Sequence, residues 1–376
     1  MRQSFAPLKV LHIGNVFLDC PFTDMEATRS AIYRKQKRET FRHAVEWARD
    51  EGVQMILLTG DLVDNSYATL DTLRFLRATF DLAPEMRFVI TPGVHDYIWG
   101  GSIYRLGGFG DNVTIFDSET PTQVHFGDLG VMVTGWGFCS DYDPGAPLRG
   151  RRIPPFEGIS LVAGYASLGP NSTPAPIAPE DIATFGGDYV ALSGPHMFGG
   201  FHKAAGRTVY AFSGALEHSG YGESGTGGAN LITITPTEEG TVVNAERLRF
   251  GTCTFATEEL EVTGVATEAE ICQRVKDVMQ ERGYGNQTAL RVIFTGALPV
   301  GMHLPSCFDA EALGLYAFSP VDETTPACDE SAVARDMSVR GEVGRALIPH
   351  MKSGDSAVRV PAADALRVSL EVLGKK

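Results

Sequence analysis

The sequence predicts an α/β protein: two sheets packed face to face and flanked by helices, followed by a small α+β module and terminal helices. Three observations support this. Residues 8 to about 95 alternate short apolar runs with longer amphipathic ones, residues 113–250 hold many short strand candidates, and the pattern changes again near Phe250.

Taken in order, Leu8–Ile13 reads as a buried strand and Tyr33–Asp50 as a helix with Phe41, Ala44, Val45 and Ala48 on one face. Met55–Thr59 is a second strand, Leu70–Phe80 a second helix and Arg87–Thr91 a third strand. The economical architecture for such a β-α-β-α-β series is a parallel sheet covered by helices. Strand candidates follow at Gln123–Phe126, Val131–Gly135, Ile159–Ala163, Tyr189–Leu192, Thr208–Phe212 and Leu231–Thr235, enough for a second sheet facing the first. The Pro/Gly-rich stretches Asp143–Pro155, Gly169–Pro179 and Ser219–Gly228 read as surface connections, and no internal repeat is present. Beyond Phe250, Glu258–Val262, Thr267–Glu281 and Leu290–Phe294 suggest a β-α-β module. Ser319–Asp329 is loop-like, and Ala332–Met351 and Ala362–Leu373 read as helices joined by a link carrying Gly354 and Pro361. The expected domains are therefore 1–250, a cap module at 251–330 and a helical docking segment at 331–376.

Composition narrows the function classes. At 376 residues, 43% hydrophobic and 21% charged, the chain can bury a sizeable core and carries no disorder signature. A net charge of -14 opposes unaided binding to nucleic acid. The basic groups Arg34, Lys35, Lys37 and Arg38, and Arg149, Arg151 and Arg152, read as solvated faces. Six cysteines, at 20, 139, 253, 272, 307 and 328, form no C-x-x-C pair, which argues against a zinc ribbon or a disulfide framework. The N-terminus enters the first strand without a charged leader and an apolar core, and no apolar run matches a bilayer. A cytoplasmic protein without membrane contact is expected.

Chemistry should lie just after the strands, where open α/β sheets place ligand-binding groups. Asn15-Val16-Phe17-Leu18-Asp19, Gly60-Asp61-Leu62-Val63-Asp64, Gly93-Val94-His95-Asp96 and Gly194-Pro195-His196 all occupy such positions. Alone, the Gly-Asp-x-x-Asp turn is equally well explained by a tight turn with Asp64 capping a helix. His95 and His196 could each be a simple hydrogen-bonded histidine, and His12 reads as a satisfied core residue. His43, His125, His202, His218, His303 and His350 have no motif partners. The Gly-rich run from Gly220 to Gly228 reads as a flexible loop.

In order and spacing, these four segments resemble the calcineurin-like metallophosphoesterases. More narrowly, together with Leu18-Asp19-Cys20-Pro21-Phe22 and Asp188-Tyr189-Val190-Ala191-Leu192, they resemble the SbcD-type nuclease subunits of double-strand-break repair complexes. The likeness covers roughly residues 8–250 and, more weakly, the C-terminal module. It implies a two-sheet metallophosphoesterase sandwich in which mixed N/O ligands and a bridging carboxylate hold two divalent cations about 3.5–4 Å apart. Carried over by position, the first cation would take Asn15, Phe17, Asp61 and His196, and the second Asp61, Val94, Tyr165 and Gly194. Phe17, Val94 and Gly194 carry no donor, Asn15 has lost the charge, and a phenol with a pKa of about 10 is a poor ligand at neutral pH. Only Asp61, His196 and a weak Asn15 remain, so the expected cofactor is none or a single weakly bound Mn²⁺ or Mg²⁺. The resemblance also makes His95, oriented by Asp96, a support for the phosphoryl transition state or a general acid, the latter a role that typically supplies about 10²–10⁴-fold.

The leading expectation is a pseudoenzyme: an SbcD-like subunit with impaired hydrolysis. The implied partner is a coiled-coil, SMC-like ATPase gripped by the C-terminal helices, with homodimerisation through the main domain. The first alternative is a weak single-metal phosphodiesterase or DNA exonuclease. The second is a groove that holds a ligand, DNA included, without cleaving it. His202 and Glu217 are candidates for a ligand supplied from elsewhere.

Overall fold

A computed structural model describes residues 6–22, 24–142, 145–206, 208–305 and 308–374. Cys307 and the first two residues of the Asp143–Pro155 connection lie outside them. The chain divides into two units, Met1–Thr254 and Phe255–Lys376.

The first unit opens with β1 (Leu8–Ile13), α1 (Ala27–Asp50), β2 (Met55–Leu58), α2 (Leu70–Phe80) and β3 (Arg87–Ile90). The three strands are parallel, with Val10 opposite Met55 and Met55 opposite Arg87. A short α3 (Ile103–Leu106) leads to β4 (Val113–Ile115), parallel to β3. The second sheet is then laid down by β5 (Thr122–Phe126), β6 (Val131–Gly135) and β7 (Ile159–Tyr165). The small pair β8 (Ser167–Leu168) and β9 (Pro176–Ile177) and helix α4 (Pro179–Phe185) precede β10 (Tyr189–Ser193), β11 (His202–Ala204) and β12 (Thr208–Phe212). Finally β13 (Gly225–Thr237) returns antiparallel to β1, followed by β14 (Gly240–Glu261). Within this unit the first sheet runs β14-β13-β1-β2-β3-β4 and the second β11-β12-β10-β7-β6-β5.

Alternation along the strands explains the layering, since successive side chains point to opposite faces. In β2, Ile56 and Leu58 join Phe41, Val45, Leu76 and Phe80 of the helices, while Met55 and Leu57 meet Val133, Leu161 and Ala191 of the second sheet. That sheet's outer face, with Val162, Val190 and Leu192, is covered by Ile182 and Phe185 of α4. The result is helix, sheet, sheet, helix.

Helix α1 begins six residues earlier than its apolar face predicted. Glu26 caps it by accepting from the Thr28 amide at 3.0 Å. The basic run on it is a solvated face only in part: Arg34 and Lys35 are exposed, but Lys37 is buried, and Arg38 forms a bidentate pair with Asp19 at 2.7 Å. Nor does Asp64 cap a helix. Its carboxylate accepts from the Ser66 amide at 2.7 Å, and α2 is capped by Thr69 through a reciprocal box with Thr72. The Ser219–Gly228 stretch is a connection only as far as Ser224, because Gly225–Gly228 already belong to β13.

The second unit contains α5 (Glu268–Arg282), β15 (Thr288–Thr295), β16 (Ala297–Pro299), α6 (Ala310–Leu313), β17 (Ala317–Asp322), β18 (Thr325–Ala327), α7 (Glu330–Arg335), α8 (Val339–Met351) and α9 (Ser356–Gly374). β15 pairs with β17, and β16 with β18, both parallel. The stretch read as a loop thus holds the end of β17 and all of β18. The helix expected over 332–351 is two helices, broken between Asp336 and Ser338. Pro361 lies inside α9, not before it, because Asp355 accepts from the Ala357 amide at 2.9 Å and starts the helix upstream. Arg367 of α9, nearly buried, donates to the Thr324 carbonyl at 2.9 Å and hydroxyl at 2.6 Å.

Candidate functional site

The site grows out of the pairing between β1 and β2, which continues past both strands. The amides of Asn15, Phe17 and Leu18 donate to the carbonyls of Gly60, Asp61 and Leu62 at 3.0, 2.9 and 3.0 Å. Asn15, Phe17 and Asp61 hold positive φ of 49°, 49° and 53°. A non-glycine residue there costs on the order of 1–3 kcal/mol unless its surroundings enforce it. The next loop approaches so closely that a Cβ on Gly93 would lie 2.6 Å from Asp61 Oδ1, so only glycine fits.

Asp61 is fully buried, and both its oxygens are committed to His95. Oδ1 accepts from the His95 amide at 2.9 Å, and Oδ2 meets the ring Nδ1 at 3.0 Å. This hydrogen bond raises the His95 pKa above its ordinary 6.5; partial burial opposes it, and the Asp61 charge reinforces it. Asp96 does not orient His95, contrary to the role the resemblance implied. It is buried beneath the loops, accepting from the amides of Asp61, Leu62 and Gly93 at 3.0, 2.9 and 2.5 Å and from the Tyr104 hydroxyl at 2.6 Å. Burial, with the nearby Asp61 charge, pushes its pKa up to about 6.

His196 enters from the loop after β10. Its Nδ1 lies 2.6 Å from Glu223 Oε1, and Glu223 Oε2 accepts from the Ser219 amide at 2.7 Å. Burial works against ionisation of Glu223, yet the His196 hydrogen bond and charge hold its pKa below the ordinary value. Glu223 is the residue that sequence reasoning missed, hidden inside a Gly-rich stretch. Its only signal was a lone carboxylate in a loop otherwise without charge. The two alternative ligands lie in other environments: the Glu217 carboxylate bonds the hydroxyls of Tyr33, Thr40 and Thr252, and the exposed His202 stacks on Tyr210.

Between the two histidines sits the Phe17 ring, 5.1 Å from His95 and 5.2 Å from His196 between centroids. Asn15 turns its Nδ2 to the Pro195 carbonyl at 3.1 Å, leaving a buried Oδ1 with no hydrogen-bond partner among the described residues. Tyr165 packs with Phe138 and Ala175, and Val94 and Tyr97 lie against them. Burial, then the charges of Asp61 and Asp96, raise the Tyr165 phenol well above 10, so it stays protonated. At Gly194, φ is +138° and a Cβ would lie 2.1 Å from the Ala166 carbonyl oxygen, which excludes any side chain without a backbone shift. A cleft of about 770 Å³ opens elsewhere, beside Gly158, Asp188 and Thr208, and none of these site residues lines it.

The structure therefore brings together Asn15, Phe17, Asp61, His95, Asp96 and His196 as the motifs suggested, with Val94, Tyr165 and Gly194 beside them. Among the described residues, no three His, Cys, Asp or Glu side chains are grouped so as to hold a metal ion. The donor set does not fit a pair of divalent cations: one carboxylate is occupied by a histidine, one imidazole is bound to a glutamate, and the remaining positions are carbon, amide or neutral phenol.

Residues 8–192 match the model of the calcineurin-like phosphoesterase family. The chain is 26% identical over 313 residues to a Bacillus subtilis (strain 168) protein named uncharacterized metallophosphoesterase YhaO, covering 78% of this chain and 72% of that one. Among solved structures, TT1561 of Thermus thermophilus shares 14% identity at a TM-score of 0.38, covering 65% of this chain and all of that one. A dimetal phosphatase from Danio rerio shares 12% identity at a TM-score of 0.39, covering 65% and 98%. The chain has an α/β metallophosphoesterase fold, and its residues 8–192 are similar to the calcineurin-like phosphoesterases. Among the described residues, no helix is long and apolar enough to cross a membrane.

Proposed function

We propose that this protein is a catalytically impaired member of the superfamily, an SbcD-like subunit that has kept the scaffold of a phosphodiesterase and lost its dimetal centre. One observation carries the reading: Val94 and Tyr165, at positions from which the second cation would draw ligands, pack with Tyr97, Phe138 and Ala175. Removing two divalent charges weakens any hold on phosphate, and no arginine or lysine takes their place in the four motifs. The role left to such a chain is that of a partner subunit, a cytoplasmic protein dimerising through its first unit. Exposed Val358, Val368 and Val372 on α9 support docking by the C-terminal helices, and the resemblance makes the partner a coiled-coil, SMC-like ATPase working on DNA.

A second reading is favoured by the buried, unpartnered Asn15 Oδ1. It is a single Mn²⁺ or Mg²⁺ held by Asp61, His196 and Asn15, giving a weak phosphodiesterase or exonuclease. Metal analysis of purified protein, followed by manganese-dependent assays on DNA ends and on a chromogenic phosphodiester, separates the two. Substoichiometric metal and background rates are expected. Stoichiometric metal with activity abolished by Asp61→Ala would overturn the first reading in favour of the second.

A further inference from the structure

The loops that a cation pair would tie together are tied here by carbon. Phe17, after β1 in the first sheet, touches His95, after β3 in the same sheet, and His196, after β10 in the second. Tyr165, at the end of β7 in the second sheet, packs with Phe138 at 5.5 Å between ring centroids, and Val94, after β3, lies against that cluster. Both contact sets therefore span the two sheets at the strand ends. Phe17 is 8% exposed, and its backbone is left-handed, a conformation a bulky residue keeps only where its surroundings over-determine it.

We propose that Phe17 and Tyr165 are cross-sheet struts that have taken over the structural duty of a metal pair, holding the loops after β1, β3 and β10 in register without any divalent cation. The inference rests on the reading of a dismantled metal centre and adds what replaced it. Edge-on ring packing is short-ranged and insensitive to chelators, whereas carboxylate–cation ties are lost when the cation is removed. The spacing of His95 and His196 thus depends on the Phe17 ring.

The test is hydrogen–deuterium exchange on the full chain, in EDTA and in Mn²⁺, for the unaltered protein and for Phe17→Ala, Phe17→Leu and Tyr165→Phe. Exchange in residues 14–19, 93–97 and 194–198 should be the same in EDTA and Mn²⁺. It should rise about tenfold or more in Phe17→Ala, by less in Phe17→Leu, and not at all in Tyr165→Phe, which keeps the ring. If Phe17→Ala fails to fold, Phe17→Leu carries the comparison. Protection that appears with Mn²⁺ and vanishes with EDTA would sink both the struts and the dismantled-centre reading. Unchanged exchange in Phe17→Ala and Phe17→Leu, with Mn²⁺ inert, would sink the struts alone.

Discussion

Asp61 is a histidine's partner. With both carboxylate oxygens on His95, Asp61→Asn should return the His95 pKa toward 6.5, and an NMR titration of the ring Cε1–H should record the drop. The linkage sign follows from the direction. A histidine pKa raised on folding stabilises fully below its unfolded value, and the contribution fades as pH rises through the folded value. Because the His95 side chain is 46% exposed, the effect on stability should be small compared with the shift in the titration. At Gly194 the constraint is steric. Gly194→Ala combines a positive φ with a clash on the Ala166 carbonyl and should destabilise by roughly 1–3 kcal/mol in urea unfolding. A stability within about 0.5 kcal/mol of the unaltered protein would show that the loop relaxes freely.

Among the elements, α9 shows two faces with different duties. Leu366 and Leu370 are buried with Ile348 and Val333, so Leu366→Ala should cost about 2–5 kcal/mol. Val368 and Val372, a helical turn apart on the opposite side, are 57% and 65% exposed. The double change Val368→Glu with Val372→Glu should leave the unfolding midpoint nearly unmoved, yet abolish co-purification with a partner ATPase. Retained co-purification would remove α9 from the proposed docking surface. Cutting the chain after residue 330 is a poorer test, since it also strips the Arg367 bonds to Thr324 from the fold.

At the scale of the whole molecule, two buried groups should act on acid stability in opposite directions. His12 sits in β1 as the core residue its sequence suggested, with Nδ1 2.8 Å from the Tyr189 hydroxyl and Nε2 3.0 Å from the Thr59 hydroxyl. Burial, helped by the Arg247 charge, pushes its pKa down to about 3. The unfolded chain binds a proton near pH 6.5 that the folded one refuses, so stability falls as pH drops from 6.5 towards 3. Asp96 works the other way. Its folded pKa of about 6 lies above the ordinary 3.8, so between those values stability falls as pH rises. In urea unfolding from pH 7 to 4, acid should destabilise Asp96→Asn more steeply, and His12→Gln less steeply, than the unaltered protein. A steeper slope in His12→Gln would contradict the assignment.

Much of the architecture could be read from pattern alone. The β-α-β-α-β opening, the ends of α2 at Leu70 and Phe80, and strands β6 and β12 are all visible as apolar periods bounded by turn residues. That happens because a strand or helix with one or two buried faces must repeat its apolar side chains with that element's own geometry. The motif positions were equally legible, since they follow the strands. What pattern could not reveal was which distant groups meet there. Glu223 reaches His196 from 27 residues away, Asp61 displaces Asp96 as the partner of His95, and Phe17 lies between two histidines from different sheets. Sequence alone determined the order of the opening elements, the fold class and the absence of donor atoms from the side chains of Phe17, Val94 and Gly194, because these depend on local period and side-chain chemistry. Tertiary structure alone decided what packs around these side chains, because that depends on contacts between segments that share no local pattern.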